Sequence, residues 1–246
     1  MKRMFLFLVI NFAIMLMLMV VFHVVCAWLG INPNAAFDRN GLNITALAIF
    51  ALIYGMVGSF ISLLLSRPIA KFLTHAQTIT GDEGESERWL VDTIRSLAER
   101  ANVGMPEVAI YPGEPNAFAT GAFKNHALVA VSTGIMKSMT KEELRAVLGH
   151  EMSHVANGDM VTMTLVQGVL NACVIFLSRL IAYLVSKDKN GRSSSGIYNI
   201  VYFVMQIALS IVASIIAMWY SRHREYAADA GSANLLGSPS SMIAAQ

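Results

Sequence analysis

Thr140-Lys141-Glu142-Glu143-Leu144-Arg145-Ala146-Val147-Leu148-Gly149-His150-Glu151-Met152-Ser153-His154 is the stretch on which the reading of this chain turns. Thr140 and Glu143 have the Thr-x-x-Glu spacing of a capping box, in which each side chain satisfies an otherwise unpaired backbone N–H at a helix start. Leu144, Val147 and Leu148 continue at helical spacing, and Asn157-Gly158 supplies a stop. On such a helix His150 and His154 leave the same face one turn apart. Zinc suits neutral imidazole nitrogens, and two of them on one rigid rod reduce the ordering cost of binding. Glu151 stands beside the first histidine, where a carboxylate can take a proton from an attacking water and pass it to a leaving amine. The stretch therefore points to a zinc hydrolase; a pair of surface histidines without a metal is the competing reading.

A third ligand is sought by elimination. A metzincin would carry glycine three residues and histidine six residues beyond His154, and those positions hold Asn157 and Met160. Downstream carboxylates are confined to Asp159, Asp188, Glu225 and Asp229. Asp159 falls at the end of the motif helix and Asp188 in a distant loop. Glu225 is the only downstream Glu, and Asp229 follows on the same helical face, able to orient a ligating histidine. Glu225 is the expected third ligand, against the alternative of a solvated helix-end charge among Arg222, His223 and Arg224. Arg222, His223 and Tyr226 lie close to it in sequence as candidates for stabilising an oxyanion, and nothing in the sequence chooses among them.

Upstream, residues 86–103 place Leu90, Ile94, Leu97 and Ala101 at the spacing of an amphipathic helix. Residues 108–111 and 127–131 read as short strands, and 116–121 as a polar-aromatic loop near a strand.

Composition places this segment beside a membrane. The chain has 246 residues, 55% hydrophobic and only 14% charged, where a soluble domain carries about a quarter charged. Residues 4–29 and 42–66 lack Asp, Glu, Lys and Arg altogether, and each is long enough to cross a bilayer. The first run is too long for a signal-peptide core and lacks a small-residue cleavage site, so it reads as a retained anchor. Lys2 and Arg3 precede the first span and Arg67 and Lys71 follow the second, which places the N-terminus and the protease segment in the cytoplasm.

Residues 160–186 and 197–220 are further apolar runs, with Gln167, Asn171, Arg179, Asn199 and Gln206 inside them. Their connecting Lys187, Lys189 and Arg192 run against the positive-inside pattern. A spanning hairpin is expected, the alternative being two helices lying on the membrane surface; Glu225 reaches His150 only if both span or neither does. A net charge of +2 without a basic tract gives no reason to expect nucleic acid. Cys26 and Cys173, in apolar runs, are expected to be buried like small hydrophobes and imply no disulfide framework.

Three segments together resemble a known family, the HtpX-type membrane zinc metalloproteases, bacterial heat-shock relatives of the CAAX prenyl proteases. They are Pro115-Asn116-Ala117-Phe118-Ala119-Thr120-Gly121, His150-Glu151-Met152-Ser153-His154-Val155-Ala156-Asn157-Gly158-Asp159 and Ser221-Arg222-His223-Arg224-Glu225-Tyr226-Ala227-Ala228-Asp229. The resemblance implies an α+β, mostly helical, gluzincin-like fold with a small sheet. It implies one Zn2+ per chain on His150, His154 and Glu225, Glu151 as base, and Asp229 orienting His150. Asn116, Ala117 and Phe118 would border the cleft, where substrate pairs as an added strand. Function by the same resemblance is quality control at the bacterial inner membrane under stress: cleavage of misfolded or damaged membrane proteins on the cytoplasmic side, with self-cleavage. The expected organisation is a transmembrane hairpin (1–70), a protease domain (71–159), a second apolar hairpin (160–220) and a helix carrying the third ligand (221–246). Ser238-Pro239 reads as the start of a further helix, so the chain is expected to be a piece of a longer protein. Two other functions stay open on sequence, a non-catalytic membrane chaperone or scaffold with a structural zinc and a transporter built on the polar spans.

Overall fold

A computed structural model describes residues 2–38, 41–187 and 194–236. The chain forms two compact units, one of residues 1–61 with 164–218 and the other of 62–163 with 219–246. Residues 238–239 lie outside the described residues.

The first unit is helical and apolar. It holds α1 (Lys2–Trp28), a 3-10 turn at Pro33–Ala36, α2 (Ile44–Leu52), a π-turn at Ile53–Val57 and the start of α3 (Gly58–Leu64). Most of α8 (Asp159–Ser186) and the first half of α9 (Ser195–Leu236) complete it. The stretch Ile44–Leu64, α8 and α9 are long and apolar enough to cross a membrane, and Phe12–Trp28 is a shorter apolar helix. Twenty-one residues at about 1.5 Å each cover the roughly 30 Å of a hydrocarbon core.

The π-turn holds a close helix contact. At Gly55 an added Cβ would lie 2.5 Å from the Ala172 amide nitrogen, so only glycine allows α8 this near. Phe22, Phe37 and Phe50 stack edge to face, over a core that includes the buried Cys26. Cys173 differs from the expectation of burial: it is exposed, because it points away from the other helices of this unit. Polar residues in the apolar runs pair with one another. Gln167 donates to Asn171 and Ser178 to Gln206. The Arg179 guanidinium lies 4.8–5.3 Å from the rings of Phe50, Phe37 and Tyr202, whose faces offer a cation part of what water would.

The second unit carries a four-stranded mixed sheet. In chain order come α4 (Ser66–Thr74), β1 (Gln77–Thr78), α5 (Glu85–Ala101), β2 (Glu107–Tyr111), β3 (Ala117–Thr120), β4 (Leu128–Ser132), α6 (Thr133–Ser138) and α7 (Lys141–Asn157). Strand order is β1-β2-β4-β3, with β2 and β4 parallel and both outer pairs antiparallel. β4 is buried on both faces, as a central strand with helices on either side should be. Val129 and Val131 meet Leu90, Ile94 and Leu97 of α5 and Leu144, Leu148 and Met152 of α7. Leu128 and Ala130 face the other way, towards Phe118 and Ala70.

Two expectations are corrected. Residues 117–120 form a strand, β3, at the sheet edge, with Phe118 opposite Ala130 and Thr120 opposite Leu128. Ala-Phe-Ala-Thr lacks the β-branched run that marks a strand in sequence, and pairing with β4 supplies the order instead. The second concerns the helix of Glu225, which is the continuation of the last apolar run: α9 is one helix of 42 residues.

Candidate active site

α7 begins as its sequence requires. Thr140 accepts from the Glu143 N–H and the Glu143 carboxylate accepts from the Thr140 N–H, closing the capping box. It ends at Gly158, whose φ of +71° is the left-handed cap conformation natural to glycine.

α9 reaches α7 through small residues. A Cβ on Gly149 would lie 2.8 Å from Ser232 Oγ, and one on Gly231 would lie 2.8 Å from Ser153 Oγ. Ser232 donates to the Ala146 carbonyl and Ser153 to that of Gly149, so no hydroxyl is stranded in this buried contact. One turn before Ser232, Asp229 faces His150, and one turn earlier still comes Glu225.

His150 Nε2 and His154 Nε2 lie 3.1 Å apart. Glu225 Oε2 is 3.2 Å from the first and 3.5 Å from the second. Behind each imidazole sits a carboxylate. His150 Nδ1 is 2.8 Å from Asp229 Oδ1, and His154 Nδ1 is 2.6 Å from Asp159 Oδ2. A carboxylate only accepts, so each Nδ1 carries the ring proton and each Nε2 turns a lone pair inward. Three electron-pair donors thus converge with no donor hydrogen between them, an arrangement that favours a cation. Tetrahedral zinc with bonds of about 2.0–2.1 Å has donor-to-donor edges of about 3.3 Å, the size of this triangle. Among the described residues this trio is the one group of His, Cys, Asp or Glu side chains that could hold a metal.

Glu151 points to the edge strand. Its Oε2 accepts from the Ala119 N–H at 2.9 Å. Burial pushes its carboxyl pKa up; the nearby His154 and His150 and the Ala119 hydrogen bond act against that rise. Asn116 is tied to β4, its N–H to Ser132 Oγ and its carbonyl to the Ser132 N–H. Antiparallel alternation then turns the backbone of Phe118 and Thr120 towards β4 and that of Ala117 and Ala119 outward.

The candidates for an oxyanion contact separate by angle around α9. At about 100° per residue, Arg222 lies about 60° and Tyr226 about 100° from Glu225, whereas His223 lies about 160° away on the opposite side. Tyr226 is 72% exposed. Arg224 donates to the Asp159 backbone carbonyl, linking α9 to the start of α8. Asp159 has a role that its place in the sequence does not announce. It is no ligand of the triangle, yet it is buried and stands behind His154. The signal was present in Asn157-Gly158-Asp159, since a left-handed glycine cap reverses the chain and returns the next side chain towards the last helical turn.

The chain is similar to known proteins along its whole length. Residues 85–245 match the model of Peptidase family M48. A Protease HtpX homolog of Herminiimonas arsenicoxydans is 53% identical over 251 residues, covering 100% of this chain and 84% of that protein. A Protease HtpX homolog of Janthinobacterium sp. (strain Marseille) is 53% identical over 249 residues, covering 100% and 83%. Among solved structures, S. mikatae Ste24p shares the fold with a TM-score of 0.65 at 18% identity, over 99% of this chain. The chain spans 57% of the length of that structure. Identity at half of all positions along the full chain goes beyond a shared fold: the chain belongs to peptidase family M48 and has the character of a membrane metalloprotease.

Proposed function

We propose that this chain is a zinc-dependent endopeptidase of the bacterial inner membrane that degrades misfolded or damaged membrane proteins at the cytoplasmic face, itself included. The observation that carries the reading is the inward triangle of His150 Nε2, His154 Nε2 and Glu225 Oε2, with edges of 3.1–3.5 Å. His150, His154 and Glu225 would hold one zinc, with Asp229 and Asp159 fixing the two imidazoles. When bound, the ion supplies Lewis acidity to the scissile carbonyl and brings the pKa of the attacking water to about 7.

The remaining steps belong to the chain. An extended polypeptide lies along β3, bonding the outward backbone of Ala117 and the Ala119 carbonyl, with Asn116 and Phe118 bordering the cleft. Glu151, aimed by the Ala119 N–H, takes the proton of the attacking water and delivers it to the departing amine. Arg222 or Tyr226 donates to the developing oxyanion, both being nearer to Glu225 around α9 than His223 is.

A closed structural zinc would need a fourth protein ligand, and the described residues offer three. This argues against the non-catalytic scaffold. Glu151→Gln separates the readings: it should retain zinc and lose cleavage of an unfolded membrane substrate by at least about a hundredfold. Cleavage at the original rate would reject Glu151 as the base.

A further inference from the structure

Between the C-terminal end of α7 and the end of β3 lies a pocket that the steps above leave unused. Its volume is about 360 Å³, and it is lined chiefly by Gly121, Phe123, Val155, Gly158, Met160 and Val161. Two elements lead into it from the catalytic base. Along α7, Val155 and Gly158 follow Glu151 by four and seven residues, which keeps all three on one helix face. Along the edge strand, Gly121 follows Ala119 by two residues, and the Ala119 N–H holds the Glu151 carboxylate. Four helical residues rise about 6 Å and two strand residues about 6.6 Å, so both routes place the pocket mouth at a similar distance from the base.

The walls are preformed by backbone geometry. Gly121 has φ +140°, and a Cβ there would lie 2.9 Å from the His126 carbonyl oxygen. Gly158 at φ +71° turns the chain from α7 into α8, which brings Met160 and Val161 round to the far wall. Phe123, 62% exposed, stands on the near side, and Lys124 is the one charged lining residue.

We propose that the pocket is a specificity subsite. It takes a large apolar side chain, aromatic or branched aliphatic, of an extended polypeptide lying along β3, two or three residues from the scissile bond. The spacing follows from the 6–7 Å above at about 3.3 Å per strand residue. This rests on the endopeptidase reading. The occupant is substrate because the pocket continues the edge of β3 and the face of α7 that carries Glu151.

The test uses the full zinc-loaded chain in detergent micelles with fluorogenic peptides varied at two to four residues on either side of the cleavage point. A large apolar residue should raise kcat/KM roughly tenfold or more over alanine at one of those positions. Val161→Phe, which fills the pocket, should shift the preference at that position alone towards small residues. Phe123→Ala, at an exposed wall, should weaken the preference for large ones there. Cleavage with the same profile in wild type and both variants overturns the subsite and leaves the protease reading standing. Failure of the wild type to cut any peptide overturns the protease reading and the subsite with it. In a Glu151→Gln background, a benzophenone amino acid in place of Phe123 should crosslink to bound peptide; crosslinks to lipid acyl chains alone would assign the pocket to the bilayer.

Discussion

His150 and His154 are each backed by a carboxylate, and the two carboxylates come from different parts of the chain. Asp229 stands four residues beyond Glu225 on α9, while Asp159 stands five beyond His154, past a glycine cap. Only the first was legible in sequence, because helical spacing announces a shared face, whereas the return of Asp159 depends on the φ of Gly158. Their chemistry is the same: an anion at Nδ1 fixes the tautomer and makes Nε2 a better donor to a metal. Asp159→Asn keeps the shape and removes the charge. It should weaken zinc binding by about 10–100-fold in competition with a chelator, with an unchanged circular dichroism spectrum. Wild-type affinity in this variant would reduce Asp159 to a packing role.

Helices and strands in the second unit are held by a mixture of legible and hidden contacts. The capping box of α7 was readable from four residues, since it is local chemistry. The approach of α9 to α7 was not, because Gly149, Ser153, Gly231 and Ser232 acquire meaning only when two distant helices meet. Glu107 is a hidden contact of another kind. At the start of β2 its carboxylate accepts from Arg67 and Lys71 of α4 and from Thr78 of β1, tying three elements together. The Lys71 and Thr78 hydrogen bonds lead in holding its pKa down to about 2, with burial opposing and Arg67 adding. Because the folded pKa is below the ordinary value of 4.5, the stabilisation is complete above about pH 4.5. It is lost as pH falls towards about 2, where the unfolded chain binds the extra proton first. The full shift corresponds to about 3 kcal/mol, and solvent exposure of the basic partners reduces it to about 1–2 kcal/mol. Glu107→Gln should therefore lower the Tm at pH 7, and the gap to wild type should narrow between pH 4.5 and pH 3. A gap independent of pH would show that packing, not charge, holds α4.

At the scale of the whole molecule the open quantity is the number of membrane crossings, and it is tied to the active site. His150, His154 and Glu225 meet, so the chain between them crosses an even number of times, and α8 and α9 both span or neither does. The loop charges Lys187, Lys189 and Arg192 pull against export, which is why two surface-lying helices are the alternative to the expected spanning hairpin. Helix length and the fate of the buried polar groups weigh on the other side. α8 has 28 residues, Gln167 and Ser178 are hydrogen-bonded, and Arg179 rests among three aromatic rings, which lowers the cost of a charge within a span. The weak positive-inside signal of a short loop yields to these terms, and four crossings are expected, with the N-terminus and residues 67–159 in the cytoplasm. Alkaline phosphatase fused after Lys71 should be inactive and a green fluorescent reporter there should fluoresce. Phosphatase inserted at position 190 should be active. Activity after Lys71 would invert the orientation, and inactivity at both sites would lay α8 and α9 on the cytoplasmic surface while leaving the zinc triangle intact.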